Sequence, residues 1–199
     1  SAFTGIVSNF GTLPTIKGYY KTISGNNSYG ILTSQSTSGA TYNNINSSTV
    51  VTGYYSTISS PDTYGTITSS ATAGFSGKSY SSADPIRGDN KISFTGVFSD
   101  VTGYYSTSSL NNTYGVLTSQ STNGATYIKG AGLLKVAGTY TTVASTDTFG
   151  TVTSSVTDGF SGQGTYSGSF DSSTGIVSTF GSLPTIKGYY KTLSANNTY

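Results

Sequence analysis

The chain has no His, Cys, Met, Trp or Glu, and only 8% of its 199 residues are charged. Each absence removes a class of chemistry. Without Cys there is no disulfide framework and no thiol nucleophile; without His there is no imidazole base and no Cys/His zinc centre. Nine basic residues stand against seven acidic ones, a formal charge of +2. That is too weak and too diffuse for the basic footprint nucleic acid requires. No apolar run approaches the roughly 20 residues of a membrane-spanning helix. The reading is therefore a protein with no cofactor, no metal, no nucleic-acid partner and no membrane span.

What is abundant is hydroxyl. Ser (36) and Thr (35) dominate, followed by Gly (26) and Tyr (17). The hydrophobic fraction is low at 34%, yet aromatics at 13% argue for a folded chain, because disordered segments are poor in aromatic and β-branched residues. A surface of hydroxyls and amides in place of charges points to an extracellular or cell-surface setting, since charge is what keeps crowded cytosolic proteins apart.

The sequence is internally repetitive. Gly-Tyr-Tyr or Gly-Thr-Tyr begins at Gly18, Gly53, Gly103, Gly138 and Gly188, at alternating intervals of 35 and 50 residues. The period is therefore 85 residues, each unit holding two related half-units. Residues 175–199 match residues 5–29 at 20 of 25 positions, and Tyr199 occupies the place of Tyr29. Residues 1–85 form a first unit, 86–170 a second and 171–199 a partial third, which together can pack as one continuous β domain.

Each half-unit reads as a β-hairpin, with first strands starting at Ile16, Val51, Val101, Val136 and Ile186. Turns are expected near residues 25–27, 60–62, 110–112 and 146–147, where Asn, Asp and Pro favour reversal of the chain. Return strands are placed from Tyr29, Tyr64, Tyr114 and Phe149. Thr, Tyr, Val and Ile favour strand, and no helical periodicity is present. The fold class expected is all-β: antiparallel hairpin repeats of 85-residue period, as a sandwich or repeat array, with no helix of note. Extra strands are expected near residues 92–98 and 176–180, and the apolar run Gly130–Val136 as a core or interface strand.

Strict alternation assigns the faces. Ile16, Gly18, Tyr20 and Thr22 share one phase, and Tyr recurs at Tyr55, Tyr105, Tyr140 and Tyr190. This phase is read as buried, and the variable one of Lys17, Tyr19 and Lys21 as exposed. Leu32, Ile67, Leu117 and Val152 are read as buried on the return strands.

Candidate motifs reduce to turn chemistry. The seven Asp residues form no close pair, and no GxSxG or SxxK arrangement occurs, so the chain is not expected to be an enzyme. Thr72–Ser79 resembles a phosphate loop that lacks its first Gly, and its internal copy lacks the Lys. Arg87-Gly88-Asp89 reads as a charged hairpin tip, and Asp84–Asn90 as a single unrepeated oxygen-rich loop. The sequons at Asn26, Asn46, Asn111 and Asn196 read as turn or strand-end residues.

The function expected is structural: an extracellular, self-associating β-repeat building block of a fibre, sheath or surface layer. Its partners are copies of itself, joined end to end through Tyr190, Ile186, Leu193 and Tyr199 of one copy and Ile6 and Val7 of another. The alternative is a carbohydrate- or ice-binding module, suggested by Tyr rings and by Thr-x-Thr pairs such as Thr66/Thr68, Thr139/Thr141 and Thr151/Thr153.

Overall fold

A computed structural model describes residues 17–45, 48–80, 98–130 and 132–195. The chain is all-β, with no helix among the described residues. Eleven strands follow in order: β1 (Gly18–Asn26), β2 (Leu32–Ile45), β3 (Ser48–Pro61), β4 (Ile67–Tyr80), β5 (Phe98–Asn111), β6 (Leu117–Gly130), β7 (Leu133–Thr146), β8 (Val152–Gln163), β9 (Ser169–Phe170), β10 (Val177–Thr179) and β11 (Thr185–Ala195). Nine form one antiparallel sheet in the order β1-β2-β3-β4-β5-β6-β7-β8-β11; β9 and β10 pair separately. Each strand thus lies beside its neighbour in sequence until residues 164–184 carry the chain across one face, and β11 then adds beside β8. The extra strand expected near residue 176 is β10. Residues 92–97, Arg87-Gly88-Asp89, Asp84, Asn46 and Asn196 lie outside the described residues.

The hairpin ends fall where turn residues cluster, but about three residues later than the sequence suggested. Asn27, Asp62, Asn112 and Asp147 open the four turns, each backbone N–H donating to the carbonyl four residues on. Tyr29 and Gly30, read above as strand, belong to the turn, and β2 begins only at Leu32.

The core reverses the face assignment. Tyr104 (9% exposed) is buried with Val51, Val101, Ala125, Tyr127, Leu134 and Val136, whereas Tyr20 is 70% exposed. The Tyr19 phase supplies this core, through Tyr54, Phe75 and Tyr104 side by side on β3, β4 and β5, with ring centroids 5.0 and 4.9 Å apart. Lys17 is exposed, as expected. The reason for the reversal is a bulge in β3, β5, β7 and β11. Thr41 pairs with Gly53 but Tyr42 pairs with Val51, leaving Thr52 as an extra residue; Thr102, Ala137 and Lys187 are skipped in the same way. One extra residue flips the side-chain phase. Val51, Val101 and Val136 therefore face the core, while Tyr55, Tyr105 and Tyr140, of the same sequence parity, face away. Leu32, Ile67, Leu117 and Val152 are half-buried rather than buried.

Residues 164–184 cover part of the core face. Phe180 stacks against Tyr104 at 6.3 Å and Phe170 against Tyr127 at 5.9 Å, with Tyr166, Val177 and Leu183 buried between. The Tyr127 hydroxyl donates to the Gly175 carbonyl (2.6 Å), and Leu134 N–H donates to the Ser172 carbonyl (3.1 Å). In the apolar run Gly130–Val136, Leu134 and Val136 are core, while Leu133 is exposed at the turn.

Candidate functional site

Three surfaces carry the recurring chemistry: the face opposite the core, the outer strands, and the row of hairpin ends.

The face opposite the core is built of unbroken rows across all nine strands. Thr22, Thr37, Thr57, Thr72, Thr107, Thr122, Thr142, Thr157 and Thr192 pair in register from β1 to β11. Within each hairpin the two hydroxyls bond to each other at 2.8 Å: Thr22–Thr37, Thr57–Thr72, Thr107–Thr122 and Thr142–Thr157. The Thr-x-Thr pairs picked out above do not build this row. Thr66 and Thr151 lie in turns, and Thr139 and Thr141 lie on the core face.

The adjacent row alternates Tyr with Gly: Tyr20, Gly39, Tyr55, Gly74, Tyr105, Gly124, Tyr140, Gly159, Tyr190. From Tyr55 onward each ring lies over the glycine of the preceding strand in the sheet. A Cβ at Gly39, Gly74, Gly124 or Gly159 would strike the ring of Tyr55, Tyr105, Tyr140 or Tyr190 respectively. The ring covers backbone that glycine leaves bare, and glycine leaves room for the ring. Tyr recurs in this row for that reason, and not because it enters the core. Burial raises the Tyr105 phenol above its ordinary value, with Tyr55 and Tyr140 adding to the effect; burial also raises Tyr140, with Tyr190 adding. These hydroxyls are neutral at physiological pH.

The outer strands hold the proposed contact residues. On β11, Tyr190, Ile186 and Leu193 are all exposed, but on different faces. Tyr190 lies over Gly159, whereas Leu193 pairs with Val156 on the core face and Ile186 lies beyond the Lys187 bulge, so the three do not form one patch. Tyr199, Ile6 and Val7 lie outside the described residues. Both outer strands read Lys-Gly-Tyr-Tyr-Lys, whereas β3, β5 and β7 carry Thr, Ser or Ala at the lysine positions. Asp158 receives Lys191 at 3.6 Å and the Tyr189 hydroxyl at 2.7 Å, and this bond raises the Tyr189 phenol.

The hairpin ends are locally over-determined. The side-chain oxygen of Asn27, Asp62, Asn112 or Asp147 accepts the N–H groups two and four residues on, at 2.9–3.0 Å. Gly30, Gly65, Gly115 and Gly150 adopt φ of 78–86°, a conformation that costs other residues strain. The threonine four residues past each aromatic, Thr33, Thr68, Thr118 or Thr153, donates its hydroxyl across the hairpin to the carbonyl of Gly25, Ser60, Leu110 or Ser145 at 3.0–3.2 Å. Successive ends also touch: Gly65 sits against Ile31 and Leu32, Gly115 against Thr66, and Gly150 against Val116 and Leu117. Asn111 Nδ2 donates to the Ile67 carbonyl at 2.9 Å, using the sequon Asn as a strut between hairpins.

At the crown of these ends stand Tyr29, Tyr64, Tyr114 and Phe149, exposed by 88, 84, 87 and 85%. The sequence reading placed them at strand starts and so missed them as a group. The signal that could have found them is the spacing Asn/Asp-x-aromatic-Gly, repeated in every turn with no packing need for an aromatic.

An open groove of about 500 Å³ lies beside the cap, lined by Ile128, Lys135, Val136, Gln163, Tyr166 and Phe170. Among the described residues no three His, Cys, Asp or Glu side chains gather where a metal could bind, and no helix is long and apolar enough to cross a membrane. No protein-family model, curated protein or solved structure matches the chain.

Proposed function

We propose that the chain is a non-enzymatic structural protein of the extracellular space or cell surface, a self-associating β-repeat unit of a fibre, sheath or surface layer. The observation that carries this reading is the continuity of the sheet rows. Thr occupies one row from β1 to β11 without interruption, and Tyr alternates with Gly in the next. Both outer strands bring Thr to the Thr row, so a strand of a second copy can continue that row; in the adjacent row both bring Tyr, Tyr20 and Tyr190. Backbone groups on an open strand edge favour such additions. Among the described residues, β1 and β11 each pair along one edge of the sheet only.

The lysines on these strands modulate the association. Lys21 and Lys191 stand on the core-face side of both outer strands, Lys191 against Asp158, and lysine on an outer strand is a device that weakens edge pairing. Self-association is therefore expected to strengthen as salt screens them. Sedimentation velocity over a range of protein and salt concentrations tests the reading, with electron microscopy to show the form of the assemblies. A sharp monomer at every concentration and salt level defeats it.

The alternative, a carbohydrate- or ice-binding module, draws on the same hydroxyl-rich surface. The exposed rings at the hairpin ends favour its carbohydrate branch.

A further inference from the structure

We propose that the four hairpin ends form a single linear binding site for a straight, uncharged β-1,4-linked polysaccharide, each aromatic ring stacking on every second sugar. The site stands apart from self-association and uses none of the outer-strand residues invoked for it.

Spacing is the first argument. Neighbouring strands lie about 4.8 Å apart, so rings carried by successive hairpins recur about every 9.5 Å and the four span about 29 Å. Contacts between successive ends, Gly65 on Ile31 and Gly150 on Val116, make this a fixed comb and not four independent loops. In a straight β-1,4-linked chain successive sugars are turned over. Alternate sugars present the same C–H-rich face, and their separation is close to that of alternate strands.

The second argument is the kind of side chain retained. Three ends carry Tyr and the fourth Phe149, so the flat ring recurs while the phenol hydroxyl does not. Phenol chemistry is excluded as the shared property, and stacking on an apolar face remains. The residue before each ring is Ser28, Thr63, Thr113 or Thr148, all exposed. Each ring is thus paired with a hydroxyl that can meet a sugar hydroxyl.

The third argument is charge. Asp62 and Asp147 are the charged residues of the four turns, and both are acidic. They disfavour an anionic polymer and leave an uncharged one.

The test uses the whole chain with cellohexaose and cellobiose in calorimetric titrations, and microcrystalline cellulose, chitin and starch in retention assays. The hexaose spans successive rings, so it should bind at least tenfold more tightly than the disaccharide. The chain should be retained on cellulose or chitin and not on starch, whose α-linked chain coils. Tyr64→Ala and Tyr114→Ala should each weaken hexaose binding roughly five- to tenfold, and the pair should abolish retention. Phe149→Tyr should leave binding unchanged. Because the rings are exposed, far-ultraviolet dichroism and melting should be unaltered; Tyr64→Leu and Tyr114→Leu, which keep bulk but lose the flat ring, should weaken binding likewise. The proposal is overturned if neither β-linked polymer retains the chain, if retention survives the paired substitution, or if the disaccharide binds as well as the hexaose. Sedimentation of the same variants should be unchanged, which separates this site from the self-association reading.

Discussion

The Tyr–Gly row predicts a substitution whose sign depends on its neighbour. Gly124 sits within β6, and a Cβ there would strike Cε1 and Cζ of Tyr140 on β7. In an open strand, Gly→Ala stabilises by about 0.5–1 kcal/mol, because glycine loses more backbone freedom on folding. Here the ring must leave its place, and overpacking of this kind costs about 1–3 kcal/mol. Gly124→Ala should therefore destabilise the protein by about 1–2 kcal/mol net. Tyr140 is half-buried, so Tyr140→Ala should cost roughly 2 kcal/mol, below the 3–5 of a fully buried ring. With the ring gone the obstruction is gone. Gly124→Ala added to Tyr140→Ala should stabilise by about 0.5–1 kcal/mol. The coupling between the sites is then about 1.5–3 kcal/mol, well outside the 0.3–0.5 within which independent substitutions add. Urea denaturation of the four proteins, with equal m values as the check on two-state behaviour, measures it. If Gly124→Ala has the same effect in both backgrounds, the ring does not occupy the glycine's space and the account of this row is wrong.

Other consequences follow from individual groups. Asp62→Ala removes the acceptor for the N–H groups of Tyr64 and Thr66 and should cost about 1–2 kcal/mol, whereas Asp62→Asn should be nearly neutral, since Asn27 and Asn112 do the same work; thermal melts distinguish the two. Hydrogen bonds from the Ser173 hydroxyl and N–H, and from Thr174, hold the Asp171 carboxyl down to about 2 from an ordinary 3.8. The folded state thus favours the carboxylate, so the stabilisation is full above 3.8 and is lost as pH falls through about 2; Asp171→Asn should remove that acid dependence from the Gly175 amide signal in NMR. Burial raises the Tyr127 phenol well above its ordinary 10.0, and Tyr166 and Tyr104 add to it. The folded state holds this proton longer than the unfolded one, so stability should decline as pH rises beyond about 10; in Tyr127→Phe the decline should be shallower, from a neutral-pH stability lowered by about 1 kcal/mol for the lost bond to Gly175.

Much of the fold was legible because it is local. Asn and Asp in turns, β-branched and aromatic residues in strands, and the recurrence of both gave all-β hairpins and the position of β10. The faces were misread because parity was carried through a bulge. Nothing in Val51-Thr-Gly-Tyr-Tyr55 marks Thr52 as the residue left without an opposite number, and that single skip sends Val51 and Tyr55 to opposite sides. Recurrence of Tyr55, Tyr105 and Tyr140 was taken as a sign of burial. Its cause is a glycine on the preceding strand, a partner visible only once Gly39, Gly74 and Gly124 are in register. The rings at the hairpin ends were missed for a simpler reason. An aromatic beside Gly and Ile looks like the start of a strand, and only the turn hydrogen bonds to Asn27 and its equivalents place Tyr29 outside it.

Comparison between half-units separates what packing requires from what it does not. In the core row the first strands carry Tyr19, Tyr54, Tyr104, Thr139 and Tyr189, and the return strands carry Ala40, Phe75, Ala125 and Phe160. At the hairpin ends the pattern is equally regular, with Asn or Asp, then Ser or Thr, then an aromatic, then Gly, in all four turns. The turn itself explains the first and last of these: the acceptor side chain and the positive φ. It does not explain the aromatic, which touches solvent over most of its surface and for which any polar residue would serve the fold as well. Folding alone would let the exposed position drift faster than the core, yet here the exposed ring recurs as regularly as the core residues do. A side chain kept where the fold has no use for it is kept for something outside the fold, and a rigid row of such rings has the geometry to meet it.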